Sequence, residues 1–108
     1  MIDWDRLEEL KREIGEEDFA EVAEMFLEEM SQMLDRLAAD PAAATRADFH
    51  ELRGSASNLG LGRFASQCAE AEAQVARGRP ADLPALIALY EASLKAASDA
   101  LPAIPRAA

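Results

Sequence analysis

Apolar residues recur every three or four positions along most of the chain, which is the spacing of one face of an α-helix. The first such set consists of Trp4, Leu7, Leu10 and Ile14. The β-branched residues that favour strands are few, with four Ile, two Val and one Thr in 108 residues. The pattern therefore predicts an all-α protein.

Helix-breaking residues divide the chain into one short and four longer helices. The breaks are Gly15, Asp40-Pro41, the glycines at 60 and 62, and Gly78 with Pro80. The predicted helices span about 4–14, 16–38, 42–59, 63–77 and 83–101. Because short connections make consecutive helices antiparallel, we expect an up-down-up-down four-helix bundle with a short N-terminal helix. Residues 1–108 are expected to form a single domain.

The charge balance restricts the kinds of partner. The chain has 21 acidic and 11 basic residues, and its formal net charge of −10 disfavours nucleic acid and anionic membrane surfaces. No apolar stretch approaches the roughly 18 residues needed to span a bilayer, and the N-terminal residues lack the layout of a secretory signal. We therefore expect a soluble, cytoplasmic protein. Its single cysteine, Cys68, excludes an internal disulfide and is expected to be a buried small hydrophobe.

The helix predicted over 42–59 contains a segment that bundle packing alone does not explain. Its apolar face is formed by Phe49, Leu52, Ala56 and Leu59. His50, the only histidine, then points towards solvent. Arg53, Gly54 and Ser57 follow it at i+3, i+4 and i+7 and share its outer face. A glycine inside a helix costs about 1 kcal/mol relative to alanine, so Gly54 needs a reason.

One hypothesis accounts for all of these residues. Gly54 removes the side chain that would shield the ring, so that a partner can approach His50 closely. Arg53 supplies a positive charge that can neutralise a dianionic phosphoryl group. A neutral imidazole is a competent nucleophile at neutral pH. These residues are consistent with a surface histidine that carries a phosphoryl group, and the alternative at this point is an ordinary solvated histidine.

Residues 50–60 read HELRGSASNLG and are followed by Phe64, Cys68 and Glu72. This segment resembles the histidine-containing phosphotransfer (HPt) domain, whose motif reads His-x-Leu-Lys-Gly-Ser-Ser/Ala-x-x-Leu-Gly. In that family an apolar residue, a cysteine and a carboxylate or amide then follow at helical spacing. The resemblance is close from residue 50 to residue 72, and outside it only the order and length of the helices agree.

The resemblance implies a role for each matching residue. His50 would be phosphorylated, on Nε2, by the aspartyl phosphate of a receiver domain or by a histidine kinase, and would pass the group to a response-regulator aspartate. Arg53 stands where the family usually has lysine, so it would be the charge partner of the phosphoryl group. Gly54 matches the position that gives access to the ring. Glu72 matches the position whose side chain hydrogen-bonds the other ring nitrogen and orients the imidazole.

The expected protein is a phosphoryl carrier and not an enzyme, because the chain has no Gly-rich nucleotide loop and no room for a kinase domain. It would need no cofactor of its own, since the receiver would supply Mg²⁺. Docking would use a patch around His50 that includes Ala47, Gly54, Ser57 and Leu61, on a monomer.

Two other functions are compatible with a helical bundle. The first is a non-catalytic binding module, either a scaffold or a degenerate HPt domain that docks a receiver or kinase without phosphotransfer. The second is a carboxylate-bridged metal bundle, which needs inward-facing Glu and Glu-x-x-His pairs. The second is disfavoured because His50 is expected to face outward and Ala47, not a carboxylate, stands three residues before it.

Overall fold

The computed structural model describes residues 2–100. This part of the chain consists of helices and connecting turns, without strands: α1 (Trp4–Ile14), α2 (Glu16–Ala39), α3 (Arg46–Asn58), α4 (Gly62–Ala76) and α5 (Leu83–Ala100). Helices α2 to α5 form the antiparallel bundle, and the short α1 packs against α2 and α3. The predicted all-α fold and its helix order are confirmed.

Side-chain hydrogen bonds cap the N-termini of two helices, and a glycine separates the first two helices. The Asp3 carboxylate accepts a hydrogen bond of 3.1 Å from the Arg6 N–H, which caps the N-terminus of α1. Asp82 caps α5 in the same way by accepting from the Ala85 N–H at 3.1 Å. Gly15, with a φ of 87°, separates α1 from α2 and adopts a conformation that other residues rarely reach.

The core is built from one apolar stripe on each helix. Its largest fully buried side chains include Phe49, Phe64, Leu7, Met30, Leu37 and Leu52. Leu27 of α2 is also buried. Trp4, by contrast, begins the apolar series of α1 but is 43% exposed. None of the helices in the described region is long and apolar enough to cross a lipid bilayer.

Helix α3 begins at Arg46, and the predicted start near residue 42 is wrong. Pro41–Ala43 forms a separate 3-10 turn. Thr45 and Asp48 then form a capping box: the Thr45 hydroxyl accepts from the Asp48 N–H at 3.3 Å, and the Asp48 carboxylate accepts from the Thr45 N–H at 2.9 Å. The alanines before Thr45 favour a helix, but their side chains cannot cap one. Helix α3 therefore starts directly after Thr45, the first residue that can cap it.

The remaining bounds agree closely with the predictions. Helix α2 extends to Ala39, and α4 occupies Gly62–Ala76, one residue earlier than expected. Helix α3 ends at Asn58, also one residue earlier than expected. The predicted end of the last helix at residue 101 lies outside the described residues.

The N-terminal segment closes over the turn between α3 and α4. The Asp3 N–H donates to the Gly60 carbonyl at 2.7 Å, and a Cβ atom at Gly60 would lie 2.7 Å from the Asp3 carbonyl oxygen. The Arg6 guanidinium donates to the Asn58 carbonyl and to its side-chain oxygen, both at 3.3 Å. The turn is therefore covered by protein, and α1 is tied to the end of α3.

Leu61 is fully buried beneath this turn, with 0% of its surface exposed. The prediction that Leu61 contributes to a docking surface is wrong. Gly60 and Gly62 flank it and suggest an exposed turn, but the long-range contact with α1 and the core packing of Leu61 itself place it inside the bundle.

Candidate functional site

The core face of α3 orients His50. Phe49 and Leu52 are 0% and 1% exposed, which fixes the rotation of the helix about its axis. His50 then lies on the opposite side, where 63% of its side-chain surface is exposed. The prediction that the ring projects outward is confirmed.

Three exposed positions of α3 on the same side as the ring carry small side chains or none. Gly54 lies one turn after His50 and is exposed. A Cβ atom at Gly54 would meet nothing within 4 Å outside its own helix, so packing does not require glycine here. Ala47 and Ser57 are also exposed on α3. A partner can therefore approach the ring without displacing bulky groups on these positions.

Glu72 reaches the ring from α4, which is the helix most closely packed against α3. Its Oε1 lies 3.2 Å from the Nδ1 of His50. The Glu72 side chain is only 17% exposed, so its carboxylate is held between the helices and not free in solvent. This contact restrains the ring at Nδ1, on the α4 side.

Arg53 meets the same edge of the ring. Its Nη2 lies 3.0 Å from the Nδ1 of His50, and its Nη1 lies 3.8 Å from the Oε2 of Glu72. The three side chains therefore form one connected cluster. The ring's hydrogen bonds within residues 2–100 all involve Nδ1, so Arg53 is placed beside Nδ1 and away from the nitrogen that the family resemblance designates for phosphorylation.

The two contacts at Nδ1 belong to different tautomers of the neutral ring. If Nδ1 carries the proton, it donates to the Glu72 carboxylate and Nε2 has the free lone pair. If Nδ1 is unprotonated, it accepts from the Arg53 guanidinium and Nε2 carries the proton. Only the first tautomer leaves Nε2 free to act as a nucleophile.

A hollow of about 750 Å³ adjoins the ring and is lined by Arg46, Ala47, His50, Glu51 and Glu72. Arg46 is the residue that the sequence predictions overlooked. It stands four residues before His50, so the spacing rule that grouped Arg53 with the ring also places Arg46 on that face.

Other predicted residues lie away from the ring cluster. Ser57 lines a separate groove of about 280 Å³ together with Arg53, Gly60 and Ser66. Cys68 is fully buried, and burial raises the pKa of its thiol to about 12. A thiol in that environment is not a nucleophile, in agreement with its predicted structural role. Within residues 2–100, no group of three or more His, Cys, Asp and Glu side chains is arranged to hold a metal ion.

Comparison with known families agrees with the geometry. The profile of the Hpt domain matches residues 21–101, which include His50, Arg53, Gly54 and Glu72. The chain therefore belongs to the Hpt domain family. A search of curated proteins and a search of solved structures found no match.

Membership implies a role in phosphotransfer and in phosphorelay signal transduction. Hpt domains are phosphoryl carriers that lack the ATP site of a kinase. They generally interact with receiver domains and histidine kinases.

Proposed function

We propose that this protein is an intermediate of a two-component phosphorelay that carries a phosphoryl group on Nε2 of His50. It accepts the group from a receiver aspartate or a histidine kinase and passes it to a response-regulator aspartate in the cytoplasm. The main support is the exposed imidazole, whose Nδ1 contacts the Glu72 carboxylate at 3.2 Å while the neighbouring surface at Gly54 is open.

Glu72 selects the reactive form of the ring. When Nδ1–H donates to Oε1 of Glu72, the lone pair lies on Nε2. Nε2 attacks the phosphorus of the aspartyl phosphate, the N–P bond forms, and the P–O bond to the aspartate breaks as its carboxylate leaves. The ring then carries a positive charge with the proton still on Nδ1, and the Glu72 carboxylate stabilises that charge. Transfer to the next aspartate reverses these bond changes.

Arg53 serves as a charge partner of the phosphoryl group after a side-chain rotation. A protonated Nδ1 cannot accept a hydrogen bond from the guanidinium, so the reactive tautomer releases Arg53 from the ring. The Arg53 side chain is 41% exposed, and little packing opposes its movement towards an incoming dianion. Its planar fork can donate two hydrogen bonds to phosphoryl oxygens.

The partner docks on the exposed small residues around the ring, Ala47, Gly54 and Ser57. A receiver domain brings the Mg²⁺ ion and most of the catalytic groups, and the Hpt chain, as a monomer, contributes the nucleophile and its orientation. The chain needs no cofactor of its own in this scheme.

The test is incubation of the wild type and of His50→Gln with phosphorylated receivers. We expect the wild type to acquire a label that is stable in base and labile in acid, as phosphohistidine is. His50→Gln should acquire none and should keep its helical circular dichroism, because 63% of the His50 side chain is exposed. Phosphotransfer gels followed by acid treatment measure the labelling, and circular dichroism measures the helical content.

Three outcomes would contradict the proposal. One is a wild type that no receiver labels, and another is a His50→Gln variant that is labelled as well as the wild type. The third is binding of a phosphorylated receiver without transfer, which would instead favour the non-catalytic binding module.

A further inference from the structure

The cation nearest to His50 contacts Nδ1 and not Nε2, the nitrogen proposed to react. The Arg53 guanidinium lies 3.0 Å from Nδ1 and 3.8 Å from the Glu72 carboxylate. A phosphoryl group would form on Nε2, which is joined to Nδ1 through the ring carbon Cε1 but points in another direction. Within residues 2–100 the ring makes its hydrogen bonds at Nδ1, so the space in front of Nε2 is open to a second cation.

Helix geometry places the His50 ring beside Arg46. Side chains on an α-helix tilt towards the helix N-terminus, so the His50 ring leans over the preceding turn. That turn carries Arg46, four residues before His50, and both residues line the same hollow. Cβ atoms at this spacing lie about 6 Å apart, and an arginine side chain can span that distance.

Arg46 has no structural role that explains its charge. It is exposed, and within residues 2–100 its side chain makes no hydrogen bond or ion pair. In contrast, Arg36 is paired with Asp48 at 2.9 Å and Arg53 with Glu72 at 3.8 Å. Arg46 is also the first residue of α3, where the helix dipole disfavours a cation. Helix stability would be served better by an acidic or neutral residue.

We propose that Arg46 is a second phosphoryl-binding cation, which donates hydrogen bonds to the phosphoryl oxygens on the side opposite Arg53. This inference rests on the proposed function, because it requires a phosphoryl group on His50. The two guanidinium groups would then hold a dianion between them, one from the preceding turn and one from the following turn of α3.

A small phosphodonor separates this role from partner docking. Phosphoramidate transfers its phosphoryl group to Nε2: the N–P bond to the ring forms, the donor N–P bond breaks, and ammonia leaves. The variants are Arg46→Gln, Arg46→Lys and the control Arg63→Gln. Arg63 is a matched control because it is also exposed, lies in the first turn of α4 and makes no hydrogen bond or ion pair within the described part of the chain.

We expect Arg46→Gln to lower the rate of phosphorylation by phosphoramidate about threefold to fivefold. Arg46→Lys should recover most of this loss because the charge is kept, and Arg63→Gln should match the wild type. A second readout is the ³¹P NMR titration of phosphorylated His50. A nearby cation favours the dianion, so Arg46→Gln should raise the midpoint of the last phosphoryl ionisation by about 0.3 pH unit or more. The other charged groups around the ring, Glu51, Glu72 and Arg53, are the same in all variants.

The results distinguish this proposal from the proposed function. If the wild type is not phosphorylated on His50, the proposed function fails and the Arg46 proposal fails with it. If the wild type is phosphorylated but Arg46→Gln and Arg63→Gln both match it in rate and midpoint, only the Arg46 proposal is overturned. A defect of Arg46→Gln with a receiver alone, and an unchanged ³¹P midpoint, would also overturn it, because Arg46 would then contact the partner and not the phosphoryl group.

Discussion

At the scale of single residues, the two nitrogens of His50 have different environments. Nδ1 contacts both Glu72 and Arg53 within 3.2 Å, whereas 63% of the side chain is exposed to solvent. An ordinary solvated histidine has neither nitrogen restrained. The contacts at Nδ1 orient the ring. Whether Nδ1 bonds to Glu72 or to Arg53 determines whether the lone pair on Nε2 is free to react.

Gly54 provides a direct test of access to the ring. A side chain at this position meets open space, so Gly54→Ala should stabilise the protein by about 0.5–1 kcal/mol in urea denaturation, as expected for glycine to alanine in an exposed helix interior. The larger variant Gly54→Leu should slow transfer from a phosphorylated receiver by about tenfold or more because it blocks docking. Phosphorylation by phosphoramidate should change little.

Ala92→Leu is the control for Gly54→Leu, since Ala92 is exposed on α5 and lies outside the docking surface around His50. It should alter neither receiver transfer nor the phosphoramidate rate appreciably. Transfer from the receiver to Gly54→Leu at the wild-type rate would show that this surface is not approached during the reaction.

At the scale of the helix, α3 is attached at both ends. Its N-terminus is closed by the Thr45 and Asp48 capping box, and Asp48 also pairs with Arg36 of α2 at 2.9 Å. Its C-terminus accepts hydrogen bonds from Arg6 of α1 at Asn58. The helix that carries His50 is therefore tied to two other helices, in addition to its buried face.

The capping box predicts a pH-dependent stability. Burial opposes ionisation of Asp48, but hydrogen bonds from the Thr45 N–H and the Arg36 guanidinium outweigh this effect and hold the pKa of the carboxyl below its usual value of 3.8. A depressed pKa stabilises the folded state at pH values above 3.8, and this contribution is lost as the pH falls through the folded-state pKa. Asp48→Asn should therefore lower the free energy of unfolding by about 1 kcal/mol at pH 7.

The measurement is urea denaturation of wild type and Asp48→Asn at several pH values. The difference in the free energy of unfolding between the two proteins should be largest at neutral pH and should shrink below pH 3.8. Asp35→Asn is the control, because Asp35 is exposed and makes no hydrogen bond or ion pair in the described region. A difference that stays constant down to strongly acidic pH would mean that the Asp48 charge does not stabilise α3.

Features of the fold that depend on residues close in sequence could be predicted, whereas features that depend on distant residues could not. The bounds of α1, α2 and α4 and the start of α5 follow from apolar periodicity and breaking residues, because both signals are local. The start of α3 was missed since helix propensity over the alanines competes with the Thr45 cap, and only the folded chain decides between them. The contact of Arg6 with Asn58 joins residues 52 positions apart, and the burial of Leu61 also depends on packing between separate elements. Periodicity does not register contacts of this kind.

In the site, too, residues on one helix could be predicted together, whereas contacts between helices could not. Helical spacing predicted the exposed face that carries His50, Arg53, Gly54 and Ser57, since these residues lie on one helix. Glu72 lies on another helix, and only the family resemblance singled it out. The position of the Arg53 guanidinium at Nδ1 was not foreseen, because spacing along a helix does not specify where a long side chain ends.

At the scale of the whole molecule, the single cysteine reports on unfolding. Cys68 is 0% exposed, and burial raises the pKa of its thiol to about 12. Ellman's reagent, which reacts with exposed thiolates, should therefore label native protein only as fast as the fold opens. Labelling should be rapid in concentrated urea, and His50→Gln should be as protected as the wild type.

Rapid stoichiometric labelling of Cys68 in native buffer, with an unchanged circular dichroism spectrum, would contradict the packing of α4 against the core. Slow labelling of the wild type together with rapid labelling of His50→Gln would show that the His50 substitution loosens the bundle. In that case the loss of phosphotransfer in the variant would have a structural cause.

The attachment of α3 at both ends has a consequence for the kinetics of signalling. The family match begins at residue 21, yet Asp3 and Arg6, which precede it, tie the end of α3 and the turn after it to α1. The α3 backbone that carries His50 therefore loses its conformational entropy when the chain folds, and it does not have to be ordered again in each encounter with a partner. In the proposed relay, a receiver would meet a nucleophile whose direction is already set, which would keep the entropic barrier to transfer low even when the complex is short-lived.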